Sequence, residues 1–139
     1  MREALLCLGG FERPVITTLG FHLGPAEQSR SVAGGYSREL EDQLLALAGW
    51  REDGYHLYDI AALAGSSKHG LFGGIAESNL TFLPRPLFDE LGGFDERFDL
   101  PGGGLVNLDF YARACALPSS TLLLLAGEAT FHQFHGGTI

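Results

Sequence analysis

The sequence predicts an α/β fold, a mixed sheet flanked by helices, on three observations. Apolar strand-like runs alternate with segments that carry one apolar stripe at helical spacing, the pattern of sheet and helix layered on each other. The chain has 139 residues, enough for a single domain, 1–139, to bury most of its apolar surface without a disulfide or structural metal. Its 20 glycines, about twice the usual share, fall in pairs and triplets between stretches of core sequence, so they mark turns in an ordered domain.

Taken in order, residues 1–8 read as a short helix ending at Gly9-Gly10, and the chain is expected to begin inside something larger. Residues 14–21 are β-branched and apolar, opened by Pro14 and closed by Gly20, which predicts a buried strand. Residues 24–35 read as a polar loop. Ser37 then caps a helix through Gly49, with Glu39 and Glu41 in its positive first turn. Leu40, Leu44, Leu47 and Ala48 give that helix an apolar stripe. Arg51-Glu52-Asp53-Gly54 is a turn, and residues 65–74 a glycine- and serine-rich loop. An extended segment covers residues 75–83, and Pro84 and Pro86 stop it and start a short helix over 87–91. Leu105, Leu108, Ala112, Cys115 and Ala116 predict a helix over 105–117, ended by Pro118-Ser119-Ser120. The run 121–126 predicts a strand covered on both faces, with Gly127 breaking it from a second extended segment over 128–135.

Composition excludes several function classes. Lys+Arg 9 against Asp+Glu 17 gives a net charge of -8 with no basic cluster, so nucleic acid is not an expected partner. No segment reaches the length of a membrane span, and the N-terminal apolar run is too short for a signal peptide. The two cysteines, Cys7 and Cys115, sit in apolar segments as small buried thiols, so a reducing cytoplasm is the expected compartment. The signatures of serine hydrolases, P-loop nucleotide triphosphatases and zinc ribbons do not occur.

Chemistry concentrates after residue 91. Gly92-Gly93-Phe94-Asp95-Glu96 is followed by Gly102-Gly103-Gly104, whose entropic cost before a polar helix start points to a backbone that approaches a ligand or another segment closely. Asn107 and Asp109 open the next helix, where Asn107 as N-cap and an exposed Asp109–Arg113 pair are the ordinary alternative. His132 and His135 suit a divalent transition metal. On a regular strand, however, they point to opposite faces, so sharing an ion needs a turn between them. Gly136-Gly137 allows close backbone approach to a diphosphate.

The Gly-Gly-Phe-Asp-Glu block, the acidic helix start and the late histidines together resemble the C-terminal, acceptor-side half of a family 2 glycosyltransferase of GT-A fold, over about residues 70–138. That resemblance implies transfer of a sugar from a nucleotide-diphosphate donor to the hydroxyl of a sugar or glycan acceptor. It makes Asp109 the candidate base, since Asn107 is an amide and accepts no proton. It assigns Glu77, Ser78 and Asn79 to the acceptor pocket, joined on the substrate side by Asn107, Gly102, Gly103, Gly104, Gly136 and Gly137. It also implies a divalent cation, Mn or Mg, at His132 and His135. The family's Asp-x-Asp donor motif is absent, so the chain resembles a partial domain without the nucleotide-binding half, expected to be inactive alone. A noncatalytic carbohydrate-binding or scaffold domain is the alternative. Asp95 is expected to be structural. Asp109, His132, His135 and the glycine triplet are expected in one pocket, with Glu77 on its wall.

Overall fold

Pro14, Val15, Ile16, Thr17 and Thr18 are all buried, in sequence, which requires a strand with neighbours on both edges and cover on both faces. That strand, β1 (Arg13–Leu23), organises the computed structural model, which describes residues 2–75, 79–100 and 105–135. Before β1 stands α1 (Arg2–Leu8), and after it α2 (Gln28–Ala33), α3 (Arg38–Ala48), a 3-10 helix (Gly54–Ile60) and β2 (Ala61–Leu63). Then come β3 (Thr81–Phe82), α4 (Arg85–Glu90), α5 (Val106–Ala116) and β4 (Ser120–His132).

The four-stranded sheet is mixed. β4 runs parallel to β1 along one edge, with Arg13 opposite Ser120 and His22 opposite His132. β3 and β2 share the other edge, both antiparallel: Thr17 faces Thr81, and Phe21 faces Leu63. The three expected strands therefore lie in one sheet, and helices pack on it. Val15, Leu87, Tyr111 and Ala114 form the buried core, extended by Leu83, Leu91, Cys115 and Leu117. A fully buried Val or Leu in such a core contributes about 1.5–3 kcal/mol. α1 packs against β1 and β4 and buries Ala4 completely.

Helix limits agree with the sequence where local chemistry sets them. The Ser37 hydroxyl accepts from the Leu40 N–H at the start of α3, and Gly49 closes it. Which face is buried differs in both long helices. In α3, Leu40 and Leu47 are exposed, Leu47 at 85%, whereas Glu41 is 3% exposed. The helix turns its carboxylate inward because a distant backbone N–H needs an acceptor there. In α5, the buried residues are Phe110, Tyr111 and Ala114, while Leu105, Ala112 and Ala116 are exposed. The aromatic rings bury more area than the leucine and alanine stripe and set the rotation. Leu105, not Asn107, occupies the N-cap position, and no side chain caps α5.

Several local expectations change. The loop over 24–35 contains α2, whose Ser31 hydroxyl donates to the Ala26 carbonyl and accepts from its N–H. The extended segment over 75–83 contributes only Thr81 and Phe82 to the sheet among its described residues. The run 121–126 is not covered on both faces, since Leu122 is 45% exposed. Nor does Gly127 end the strand: it lies in a bulge where Thr18 alone faces residues 125–128, because Thr17 pairs with Leu124 and Leu19 with Ala129. Gly127 takes φ +87°, a left-handed conformation that glycine adopts without penalty.

Aromatic residues hold that bulge. The Tyr58 hydroxyl donates to the Gly127 carbonyl at 3.0 Å, and the Tyr58 ring stands edge-on to Phe21 and Phe131. Tyr55 reaches the Glu128 carboxylate at 3.4 Å. Tyr58→Phe keeps the ring packing and removes only the hydrogen bond, so it is expected to cost about 1 kcal/mol. Urea unfolding checks this: a loss near zero would show that the hydroxyl does not fasten the bulge.

Candidate functional site

The Gly92-Gly93 turn is locked to α5 by Arg113. Its guanidinium donates to Asp109 Oδ2 at 2.8 Å through Nε, to the Leu91 carbonyl at 2.8 Å and to the Gly93 carbonyl at 2.9 Å, and it stacks on the Phe110 ring. Gly93 has φ +71°, a left-handed conformation that favours glycine, and a Cβ there would crowd the Phe88 ring at 3.2 Å. Asp95 and Arg97 close the next turn: the Asp95 carboxylate accepts from the Arg97 backbone N–H at 3.0 Å and from its guanidinium. Those bonds hold the Asp95 carboxyl down at about 2. Asp95 is therefore a turn residue, and Asp109 is an ion-paired carboxylate that lines a small groove with Asp95, Arg97 and Phe98.

Beside that groove lies a cavity of about 360 Å³ framed by Asn79, Asn107, Phe88, Phe94 and Phe110. The three rings pack on one another with centroids 4.8–5.9 Å apart, while Phe94 remains 53% exposed. Asn107 Nδ2 donates to Asn79 Oδ1 at 3.4 Å, an exposed contact that joins the start of α5 to the chain leading into β3. Two expected substrate residues, 28 positions apart, are thus brought together over an aromatic floor.

His132 and His135 line a different cavity, of about 730 Å³, with Arg38, Glu41, Asp42, Trp50 and Phe134. β4 ends at His132, so the backbone is free to turn, and the two imidazoles meet edge-on with centroids 4.7 Å apart. His22, across the β1–β4 pair, stands 5.2 Å from His132. Glu41 fastens the segment after β4: its oxygens accept from the Phe134 N–H at 3.0 and 3.2 Å, and from the Tyr36 hydroxyl at 3.2 Å. Burial, then the Glu41 charge, pushes the Tyr36 phenol far above its ordinary value.

The described members of the expected single pocket therefore line separate cavities, Asp109 one and His132 and His135 another, while Asn79 and Asn107 line a third. Glu77, Ser78, Gly102, Gly103, Gly104, Gly136 and Gly137 lie outside the described residues. Sequence reasoning missed Glu41 and the Phe88–Phe94–Phe110 floor. Nothing near Glu41 signals its role, because its partner Phe134 lies 93 residues away. The phenylalanines did carry a signal, three aromatic residues flanking a Gly-Gly turn and a helix start.

Among the described residues no group of three or more His, Cys, Asp or Glu side chains could hold a metal ion. No helix of the described residues is long and apolar enough to cross a membrane. Comparison with known proteins finds no family model that matches the chain, no similar curated protein and no similar solved structure.

Proposed function

We propose that this chain binds a sugar or glycan, in the role of the acceptor-side part of a glycosyltransferase. The observation that carries the reading is the Asn79–Asn107 pair above the exposed Phe94. A pyranose presents an apolar C–H face and a rim of hydroxyls. A ring such as Phe94 takes the first, and carboxamides, each both donor and acceptor, take the second. Asp109 then serves the pocket indirectly, holding Arg113 so that Arg113 holds the turn carrying Phe94. Transfer from a nucleotide-diphosphate donor rests on the resemblance of the Gly-Gly-Phe-Asp-Glu block and the late histidines. No step is assigned to a cation.

Saturation-transfer NMR with a panel of mono- and oligosaccharides tests the reading. Protons of a bound sugar should receive magnetisation from the aromatic floor. Asn107→Ala should weaken the best ligand about fivefold, the worth of one neutral hydrogen bond, and Phe94→Ala about tenfold. Absence of transfer to every sugar, or binding indifferent to both substitutions, would overturn it. Incubated with sugar nucleotides, the chain alone is expected to release no nucleoside diphosphate.

A further inference from the structure

Natural sheets cover, charge or shorten their edge strands, because an open row of backbone N–H and C=O groups pairs with any strand that reaches it. Over its first half β4 carries no charged residue, and it is not shortened there. Among the described residues its only strand partner is β1. No charged residue stands between Arg113 and Glu128, in a chain whose net charge is -8. Two copies that repel elsewhere can therefore meet here without opposing like charges.

The usable stretch has definite ends. Pro118 and Ser119, the latter at φ 64°, turn the chain before it. The bulge begins after Leu124, the last residue in regular register with β1 before the shift. Between them lie Ser120, Thr121, Leu122, Leu123 and Leu124, paired in step with residues 13–17 of β1. The middle residue of this straight segment, Leu122, is also the one 45% exposed.

We infer that two copies of this chain associate through antiparallel pairing of their β4 edges, centred on Leu122. Two antiparallel strands related by a twofold axis share the sheet plane only if the axis is perpendicular to it. Opposed residues then come from the same face, and the central residue faces its own copy. Centring on Leu122 sets Leu122 against Leu122 of the second copy, Thr121 against its Leu123, and Ser120 against its Leu124. The two exposed leucines lose their water against each other, with Cβ atoms about 5 Å apart. Each copy's α1, which packs on β1 and β4 and leaves Leu5 and Leu6 exposed, falls on the same side of the joined sheet. The result is a closed pair, since the turn and the bulge stop the strand at either end. Five paired residues per copy make a small interface, below the roughly 800 Å² per partner of a standard one, so the pair is a weak, concentration-dependent dimer.

Sedimentation equilibrium over a concentration series, with charge-swapped variants, tests this. The chain should pass from monomer to dimer with rising concentration and form no larger species. Leu122→Glu and Leu122→Lys, each placing like charges face to face, should raise the dimer dissociation constant at least tenfold. Because Leu122 is exposed, both variants should keep the circular dichroism spectrum of the parent. Mixing the two in equal amounts should restore dimer as a Glu–Lys heterodimer, which only a register opposing residue 122 to itself allows. A chain monomeric at millimolar concentration, an unlimited assembly, variants that dimerise like the parent, or a mixture that stays monomeric would each overturn the inference.

Discussion

Arg113→Ala is expected to lower the unfolding free energy by about 2–3 kcal/mol, because one substitution leaves a carboxylate and two carbonyls without their common donor. The guanidinium reaches Asp109, Leu91 and Gly93 at once, so it ties α4 and the following turn to α5. Arg113→Lys should recover less than half of the loss. An ammonium on a flexible stem cannot reproduce a planar fork aimed at three acceptors. Asp109→Asn keeps both carbonyl contacts and should cost only about 1 kcal/mol. Denaturant unfolding of the three variants decides the matter: equal losses for Asp109→Asn and Arg113→Ala would show that the ion pair, and not the carbonyl clamp, holds the turn. The consequence for function follows from the same geometry. In the proposed sugar site, Asp109, held by Arg113 through its Oδ2, would act by keeping the wall in place.

Where the fold was legible in the sequence, the cause was local. Pro14 and a β-branched run specify β1 whatever surrounds it, Ser37 and Gly49 bound α3 through their own backbone chemistry, and Pro84 and Pro86 fix the start of α4. Rotation of the helices was not legible, because it depends on partners far along the chain. Leu47 continues the stripe of α3 and yet is exposed, since the buried side of that helix carries Glu41, the acceptor for the Phe134 N–H. The same holds for the site. Asn79 and Asn107 were each singled out, but nothing short of the β3 register and the packing of α5 could place them in contact. The histidine pair was expected to need a departure from regular strand, and β4 ends at His132, where the two rings meet. The separation of that pair's cavity from the one lined by Asp109 follows from Glu41, which draws residues 133–135 toward α3.

Glu41→Ala is expected to cost about 3 kcal/mol. The carboxylate is 3% exposed, and among the described residues no salt bridge reaches it. Its charge is answered instead by the Phe134 N–H and the Tyr36 hydroxyl. Removing it strands both donors in a buried setting, each worth about 1–3 kcal/mol when unpaired. Glu41→Gln keeps one acceptor oxygen and should lose about half as much. In both variants the His132 and His135 imidazole resonances should shift, because the segment that holds the rings in contact is released. Unshifted resonances would show that Glu41 does not position them. The pair with Tyr36 also fixes the alkaline behaviour. A free tyrosine ionises near pH 10, whereas burial, the Glu41 charge and the bond to Glu41 raise Tyr36 in the folded chain, and burial pushes Tyr111 up to about 12. The folded state therefore binds these protons more tightly than the unfolded one. Their contribution is complete below about pH 10 and is lost as pH rises through the folded values. Stability measured from pH 8 upward should stay level and then fall above about pH 10. Tyr36→Phe, which has no phenol to ionise beside Glu41, should make that fall shallower; an unchanged slope would mean that Tyr36 does not carry the alkaline sensitivity.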